Sequence, residues 1–187
     1  MIMILSIDKP VGWTSFDVVK KVRGITKEKK VGHAGTLDPF ASGVLIIGTG
    51  KDTKALTSIS SADKSYVAEL TIGKTTDTLD PEGKIIHLQA VPNLTFESIK
   101  DKIISFLGTQ EQVPPMFSAK KQNGTRLYKL ARKNIVVDRK PIPIDIKKIE
   151  LINLFKNRII FSVCCSKGTY IRVLGMDIAE KLGTIGY

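Results

Sequence analysis

The chain reads as one α+β domain over residues 1–187, a class compatible with three observations. Short alternating or wholly apolar runs, the marks of strands, are interspersed with stretches whose apolar residues recur at helical spacing. The length of 187 residues can bury one sizeable core, and 42% hydrophobic content is ordinary for a globular protein. No apolar run approaches the roughly 20 residues needed to span a bilayer. The start, MIMILSIDKP, is apolar but has neither a basic leader region nor a cleavage site, so it reads as a first core strand rather than a signal peptide. The expected location is the cytoplasm.

Taken in order, Met3 to Ile7 is that first strand. Asp8-Lys9-Pro10-Val11-Gly12-Trp13-Thr14-Ser15 follows as a loop, with Thr14 or Ser15 placed to cap a helix. Phe16, Val19 and Val22 stand at helical spacing, and Gly24 is positioned to end that helix. Gly43 to Gly48 is a short apolar run bounded by glycines, which reads as a buried strand. From Lys64 to Ile72 the residues alternate, with Tyr66, Ala68, Leu70 and Ile72 on one face of a strand. Lys84 to Leu88 reads as a further strand. Thr95 caps a helix carrying Phe96, Ile99, Ile103 and Phe106 and ended by Gly108. Ile144 to Leu154 and Arg158 to Cys165 read as paired strands around a turn at Lys156-Asn157, and a last helix carries Ile171, Leu174, Ile178 and Leu182, with Gly183 at its end. No internal repeat, linker or low-complexity segment interrupts the chain.

Net charge is +11, from 29 basic against 18 acidic residues. That excess favours a polyanion, because neutralising phosphates releases counterions. No basic amphipathic helix suggests a membrane surface. Gly48-Thr49-Gly50-Lys51 hints at a phosphate-binding loop, but Leu45 stands where a Walker glycine belongs and Asp52 replaces the Ser or Thr, so nucleotide hydrolysis is rejected. The only cysteines, Cys164 and Cys165, are adjacent in a strand-like run, and there are two histidines; neither a disulfide nor a zinc site is expected.

The stretch with the clearest chemistry is Val31 to Gly50, VGHAGTLDPFASGVLIIGTG. Gly32, Ala34 and Gly35 permit tight turns and close approach of a ligand. Pro39 biases Asp38 away from helical geometry, presenting its carboxylate from an extended loop just ahead of a buried strand. Taken alone, Asp-Pro is a common turn former.

The longer string Gly32-His33-Ala34-Gly35-Thr36-Leu37-Asp38-Pro39, followed by Ala41-Ser42-Gly43-Val44-Leu45, closely resembles the catalytic motif of the TruB-type tRNA pseudouridine synthases. Four further segments, in order, are similar to that family's motifs. They are the Asp8 to Ser15 loop; Lys64-Ser65-Tyr66 with Gly73 to Asp80; Gln112-Val113-Pro114-Pro115-Met116-Phe117-Ser118-Ala119-Lys120 with Leu127 to Arg132; and Ser166-Lys167-Gly168-Thr169-Tyr170-Ile171-Arg172. The resemblance runs from Asp8 to Gly183.

This resemblance implies a mixed, largely antiparallel sheet flanked by helices, with the active cleft across it. It implies isomerisation of the T-loop uridine of tRNA (position 55) to pseudouridine: the bond from ribose C1′ to N1 breaks, the base turns, and C1′ rejoins at C5. No cofactor and no metal are expected for such an isomerisation; the implied partner is the T-arm of tRNA, with no protein partner and a monomeric enzyme. Asp38 maps to the essential aspartate. It can attack as a nucleophile, support positive charge on the sugar, or remove a ribose proton on the way to a glycal, and all three remain open. The resemblance pairs Arg172 with Asp38, keeping it ionised and aimed. Tyr66 is expected to stack on the everted uracil and to assist loss of the C5 proton. Tyr170 walls the pocket. His33 stacks on RNA bases or sustains the flipped conformation, while Lys9, Lys64, Asp80 and Lys120 are expected at the RNA-binding surface.

In that family the last helix is followed by a Leu-Arg-Arg-Thr-containing segment and usually by a small C-terminal RNA-binding domain. The sequence stops at Gly186-Tyr187, ahead of both, so a catalytic domain lacking its last segment is expected, with weakened tRNA binding and an unpaired sheet edge.

Overall fold

The alternation that starts at Met3 produces a strand, β1 (Ile4–Lys9), which continues through Asp8 and Lys9, residues expected in a loop. They are held in the ladder by pairing with Val44 and Gly43. The computed structural model describes residues 3–187; Met1 and Ile2, part of the N-terminal stretch read above, lie outside the described residues. The chain divides into two units, Met1–Ala62 and Asp63–Tyr187.

In the first unit, β1 is followed by α1 (Ser15–Thr26), β2 (Val31–His33) and β3 (Gly43–Thr49), with a 3-10 turn at Gly50–Lys54 and α2 (Leu56–Ser61) behind them. The strands form an antiparallel sheet in the order β1-β3-β2. Thr14 is the cap of α1: its side chain accepts from the Asp17 backbone, and the Asp17 carboxylate accepts in return from the Thr14 backbone. Gly24 does not end the helix, which runs on to Thr26 and stops where Lys27 turns left-handed (φ 57°). An interior glycine costs only about 0.5–1 kcal/mol, too little to break a helix whose other face is buried. Phe16 also departs from expectation. It is 53% exposed with the Lys20 ammonium over its ring, while Val18, Val19 and Val22 pack against Leu45 and Ile47. The buried stripe is set by the three valines, and Phe16 lies off it.

The second unit contains β4 (Lys64–Thr71), β5 (Lys74–Thr76), β6 (Ile85–Leu88), α3 (Phe96–Ile104), β7 (Gly108–Gln112), β8 (Lys121–Gln122), β9 (Thr125–Arg126), α4 (Leu127–Ala131), β10 (Ile142–Phe155), β11 (Arg158–Cys165) and α5 (Ile171–Lys181). Its main sheet has the order β4-β11-β10-β7, with β5-β6 and β8-β9 as separate two-stranded pieces. Every strand pairing among the described residues is antiparallel, and with the helices this makes the fold α+β. Leu70, Ile146, Ile159 and Phe161 of the sheet are buried with Ile99 and Ile103 of α3 and Leu174 and Ile178 of α5. Each such side chain contributes roughly 1.5–3 kcal/mol by leaving water.

The expected β10–β11 hairpin forms around Lys156-Asn157. Gly108 opens β7 as well as following α3, and Phe96 is 38% exposed rather than core. The Gly73 to Asp80 motif segment contributes β5. At the end of α5, Gly183 (φ 81°) lets its own N–H reach Glu180 O and the Thr184 N–H reach Ala179 O, closing the helix. Thr71 and Tyr187 then exchange backbone hydrogen bonds of 2.8 and 3.0 Å, so the end of β4 is paired. Among the described residues no helix is long and apolar enough to cross a membrane.

Candidate active site

In the first unit the geometry centres on the loop between β2 and β3 that carries Asp38. Asp38 is half-buried and outside regular structure. Its carbonyl accepts from the Ala41 N–H at 3.1 Å, closing a turn with Pro39 at the second position, where a fixed φ suits it. The flanking residues Leu37 and Pro39 are tied to the start of α1 and to the loop before it. Ser15 is buried; its hydroxyl accepts from the Leu37 N–H at 3.0 Å and donates to the Leu37 carbonyl at 3.3 Å. On the other side, the Pro39 carbonyl accepts from the Gly12 N–H at 2.8 Å.

Lys9 is fully buried, not on the RNA-facing surface where it was expected. Its ammonium donates to the carbonyls of Trp13 at 2.6 Å, Pro10 at 3.0 Å and Pro39 at 3.4 Å. A buried charge is tolerated when its donors are met, and here three carbonyls meet it. Lys9 therefore fastens the β1–α1 loop to the Asp38 loop. His33 closes β2, half-buried, and its Nδ1 donates to the carbonyl of Gly35.

The second unit brings Arg172, Asp80 and Tyr170 together. Arg172 is the second residue of α5, and its guanidinium donates to Thr78 O at 3.0 Å and Phe117 O at 2.8 Å and lies 3.8 Å from Asp80 Oδ2. Both charged side chains are about 10% exposed. Asp80 Oδ1 accepts from the Thr78 hydroxyl at 2.6 Å and from the Glu82 N–H at 3.0 Å. Asp80 is thus both a turn former and the carboxylate that braces Arg172. Tyr170 precedes α5, and its backbone is held by the Gln112 side chain.

Tyr66 lies near the start of β4, opposite Val163, half-buried and packed against the core of its unit. Lys64 is half-buried opposite Cys165. Lys120 is exposed just ahead of the β8–β9 hairpin, whose residues Lys121, Gly124, Thr125 and Arg126 line a depression with Tyr128 and Lys129 of α4.

Sequence reasoning passed over Ser15, weighed only as a helix cap, and Gln112, quoted only within a motif. A signal for Ser15 existed: of two adjacent hydroxyl residues only one can cap, which leaves the other for a different task. None existed for the carbonyls of Thr78 and Phe117, since backbone acceptors leave no mark in residue identity.

A family model described as TruB family pseudouridylate synthase (N terminal domain) matches residues 23–171. The chain is 51% identical over 183 residues to a tRNA pseudouridine synthase B of Clostridium kluyveri, covering 98% of the chain and 63% of that protein. It is 52% identical over 180 residues to the protein of that name from Clostridium perfringens, covering 96% of the chain and 61% of the relative. The chain thus spans less than two thirds of the length of these relatives. In a Cbf5-Nop10-Gar1 complex, a chain 27% identical superposes with a TM-score of 0.75 over 98% of this chain and 45% of its own. A chain of an archaeal box H/ACA sRNP Nop10-Cbf5 complex, 24% identical with a TM-score of 0.69, shares the fold.

Proposed function

This chain belongs to the TruB family of pseudouridylate synthases, and from that premise we propose that it is the catalytic domain of an enzyme that converts the T-loop uridine of tRNA to pseudouridine. The observation that carries the reading is the Asp38 loop. An aspartate at the matching motif position stands on a backbone pinned through both neighbours, Leu37 and Pro39. A group that must act on one carbon of a bound nucleotide gains most from such prior fixing, because the cost of orientation is met during folding.

Asp38 supplies the carboxylate for the step at ribose C1′, where the bond to N1 is lost. The base turns, C1′ bonds to C5, the C5 proton departs and N1 takes one up, so atoms balance without a redox partner. Tyr66 stacks on the freed uracil, and Arg172 is the guanidinium that the family motif assigns to the aspartate. Tyr170, His33, Lys64 and Lys120 serve the RNA. Asp80 and Lys9 serve it through the residues they hold. The net charge of +11 supports a polyanionic substrate, and the names of the relatives support tRNA. The enzyme works in the cytoplasm as a monomer.

The test is multiple-turnover release of tritium from C5-labelled uridine in a T-loop hairpin, compared with unrelated stem-loops. Turnover confined to the T-loop hairpin is expected. Equal turnover on all stem-loops would overturn the substrate, and none on any would overturn the activity.

A further inference from the structure

We propose that Gln112 is a positioning residue for this reaction: its carboxamide grips the backbone of Tyr170 and so sets the start of α5, from which Arg172 extends. The inference rests on the proposed function for its chemistry and on geometry for the rest.

The Tyr170 N–H donates to Gln112 Oε1 at 2.8 Å, and Gln112 Nε2 donates to the Tyr170 carbonyl at 3.2 Å. These two bonds copy the paired amides of an antiparallel ladder, with a side chain in place of a strand. Gln112 is 3% exposed, and its backbone is anchored at the end of β7 opposite Ile142. Tyr170 needs such a partner. It is the cap of α5, its backbone is extended (φ −97°, ψ 106°), and its side chain makes no capping bond. Its carbonyl also accepts the first helical bond, from the Leu174 N–H at 3.0 Å, so both lone pairs are engaged.

Five residues after Gln112, the Phe117 carbonyl receives the Arg172 guanidinium at 2.8 Å. One segment, 112–117, therefore holds α5 twice, by the backbone of Tyr170 and by the side chain of Arg172. Releasing the first hold lets the helix start shift while the core contacts of Leu174 and Ile178 remain. A small displacement of a catalytic group is enough to cost one to two orders of magnitude in rate.

Two substitutions separate this role from a general loss of packing. Gln112→Ala removes both bonds. Gln112→Glu keeps an oxygen for the Tyr170 N–H but donates to the Tyr170 carbonyl only when protonated, which burial favours. Gln112→Ala is expected to lower turnover on the T-loop hairpin by about ten- to a hundredfold with KM little changed. For Gln112→Glu, activity relative to the unsubstituted chain should rise as pH falls from about 8 to about 5, as the carboxyl regains its proton. Amide hydrogen exchange supplies a readout that needs no turnover: the Tyr170 amide should exchange faster in Gln112→Ala, with the Leu174 to Ala179 amides still protected. Unchanged Tyr170 exchange in Gln112→Ala, or a Gln112→Glu pH profile parallel to that of the unsubstituted chain, would overturn the proposal. If the unsubstituted chain releases no tritium, the functional reading fails by itself, and exchange still decides whether Gln112 holds Tyr170.

Discussion

The hydroxyl of Ser15 makes two hydrogen bonds to one residue, accepting from the Leu37 N–H and donating to the Leu37 carbonyl. Since Leu37 precedes Asp38, a side chain from the start of α1 fixes the backbone on which the carboxylate stands. Ser15→Ala should lower turnover on the T-loop hairpin about tenfold and stability by about 1 kcal/mol, the usual net worth of such bonds. Ser15→Thr keeps the hydroxyl and should recover most of the loss. Steady-state kinetics and urea denaturation check both.

Lys9 holds the same loop with a charge. Removing the ammonium in Lys9→Met takes this donor from the Trp13 and Pro10 carbonyls, while the Pro39 carbonyl keeps the Gly12 N–H. A loss of roughly 1.5–3 kcal/mol is expected, the usual net worth of hydrogen bonds to a charged group. Because Lys9 is buried, binding of the hairpin should keep the salt dependence of the unsubstituted chain, whereas Lys120→Ala, at an exposed position, should make that dependence shallower. Filter binding over a range of salt concentrations distinguishes the two lysines.

Gly83 protects the Asp80–Arg172 pair through space alone. A Cβ there would lie 2.2 Å from the Thr78 hydroxyl and 2.5 Å from Asp77 Oδ1. Asp77 Oδ1 accepts from the Lys84 N–H, and the Thr78 hydroxyl donates to Asp80, so Gly83→Ala must disturb the loop whose Thr78 carbonyl and Asp80 carboxylate hold Arg172. Turnover should fall at least tenfold, roughly the effect of losing one aligned group. Thermal melting should show a modest loss.

Asp177 gives a pH signature. Burial in α5, and secondarily the charge of Glu180, push its carboxyl up to about 6 from 3.8. A carboxyl raised in the folded state binds more protons there than when unfolded, so its contribution weakens stability as pH rises from about 4 to about 6 and is constant above. Asp177→Asn should therefore stabilise the chain at neutral pH by on the order of 1 kcal/mol, after allowing for solvent screening of a partly exposed group. The gain should vanish near pH 4. Denaturation midpoints at several pH values read this directly.

Much of this architecture was legible because it is written in apolar spacing. Val19 and Val22 of α1, the alternation of β4, the β10–β11 hairpin and the Leu174, Ile178 and Leu182 face of α5 all follow from periodicity. The short strands β2, β7, β8 and β9 were not, since two to five polar or glycine-rich residues carry no period and depend on a partner supplied elsewhere. The site divides in the same way. The motif marks Asp38, Arg172 and Tyr66, but the same resemblance placed Lys9 at the RNA-binding surface, and its residue type alone does not show that it is buried. Only the fold brings three carbonyls around it. Asp80 was expected at the RNA-binding surface, and its ion pair with Arg172 depends on a separation of 92 positions that no local pattern records.

The central claim is that the carboxylate of Asp38 performs the step at C1′. Asp38→Asn, compared with the unsubstituted chain on a T-loop hairpin carrying C5-tritiated uridine, tests it most directly. The account predicts that tritium release falls by at least about a thousandfold, as loss of the reacting group requires, with the circular dichroism spectrum and melting curve unchanged. Release within a few-fold of the unsubstituted chain would contradict it.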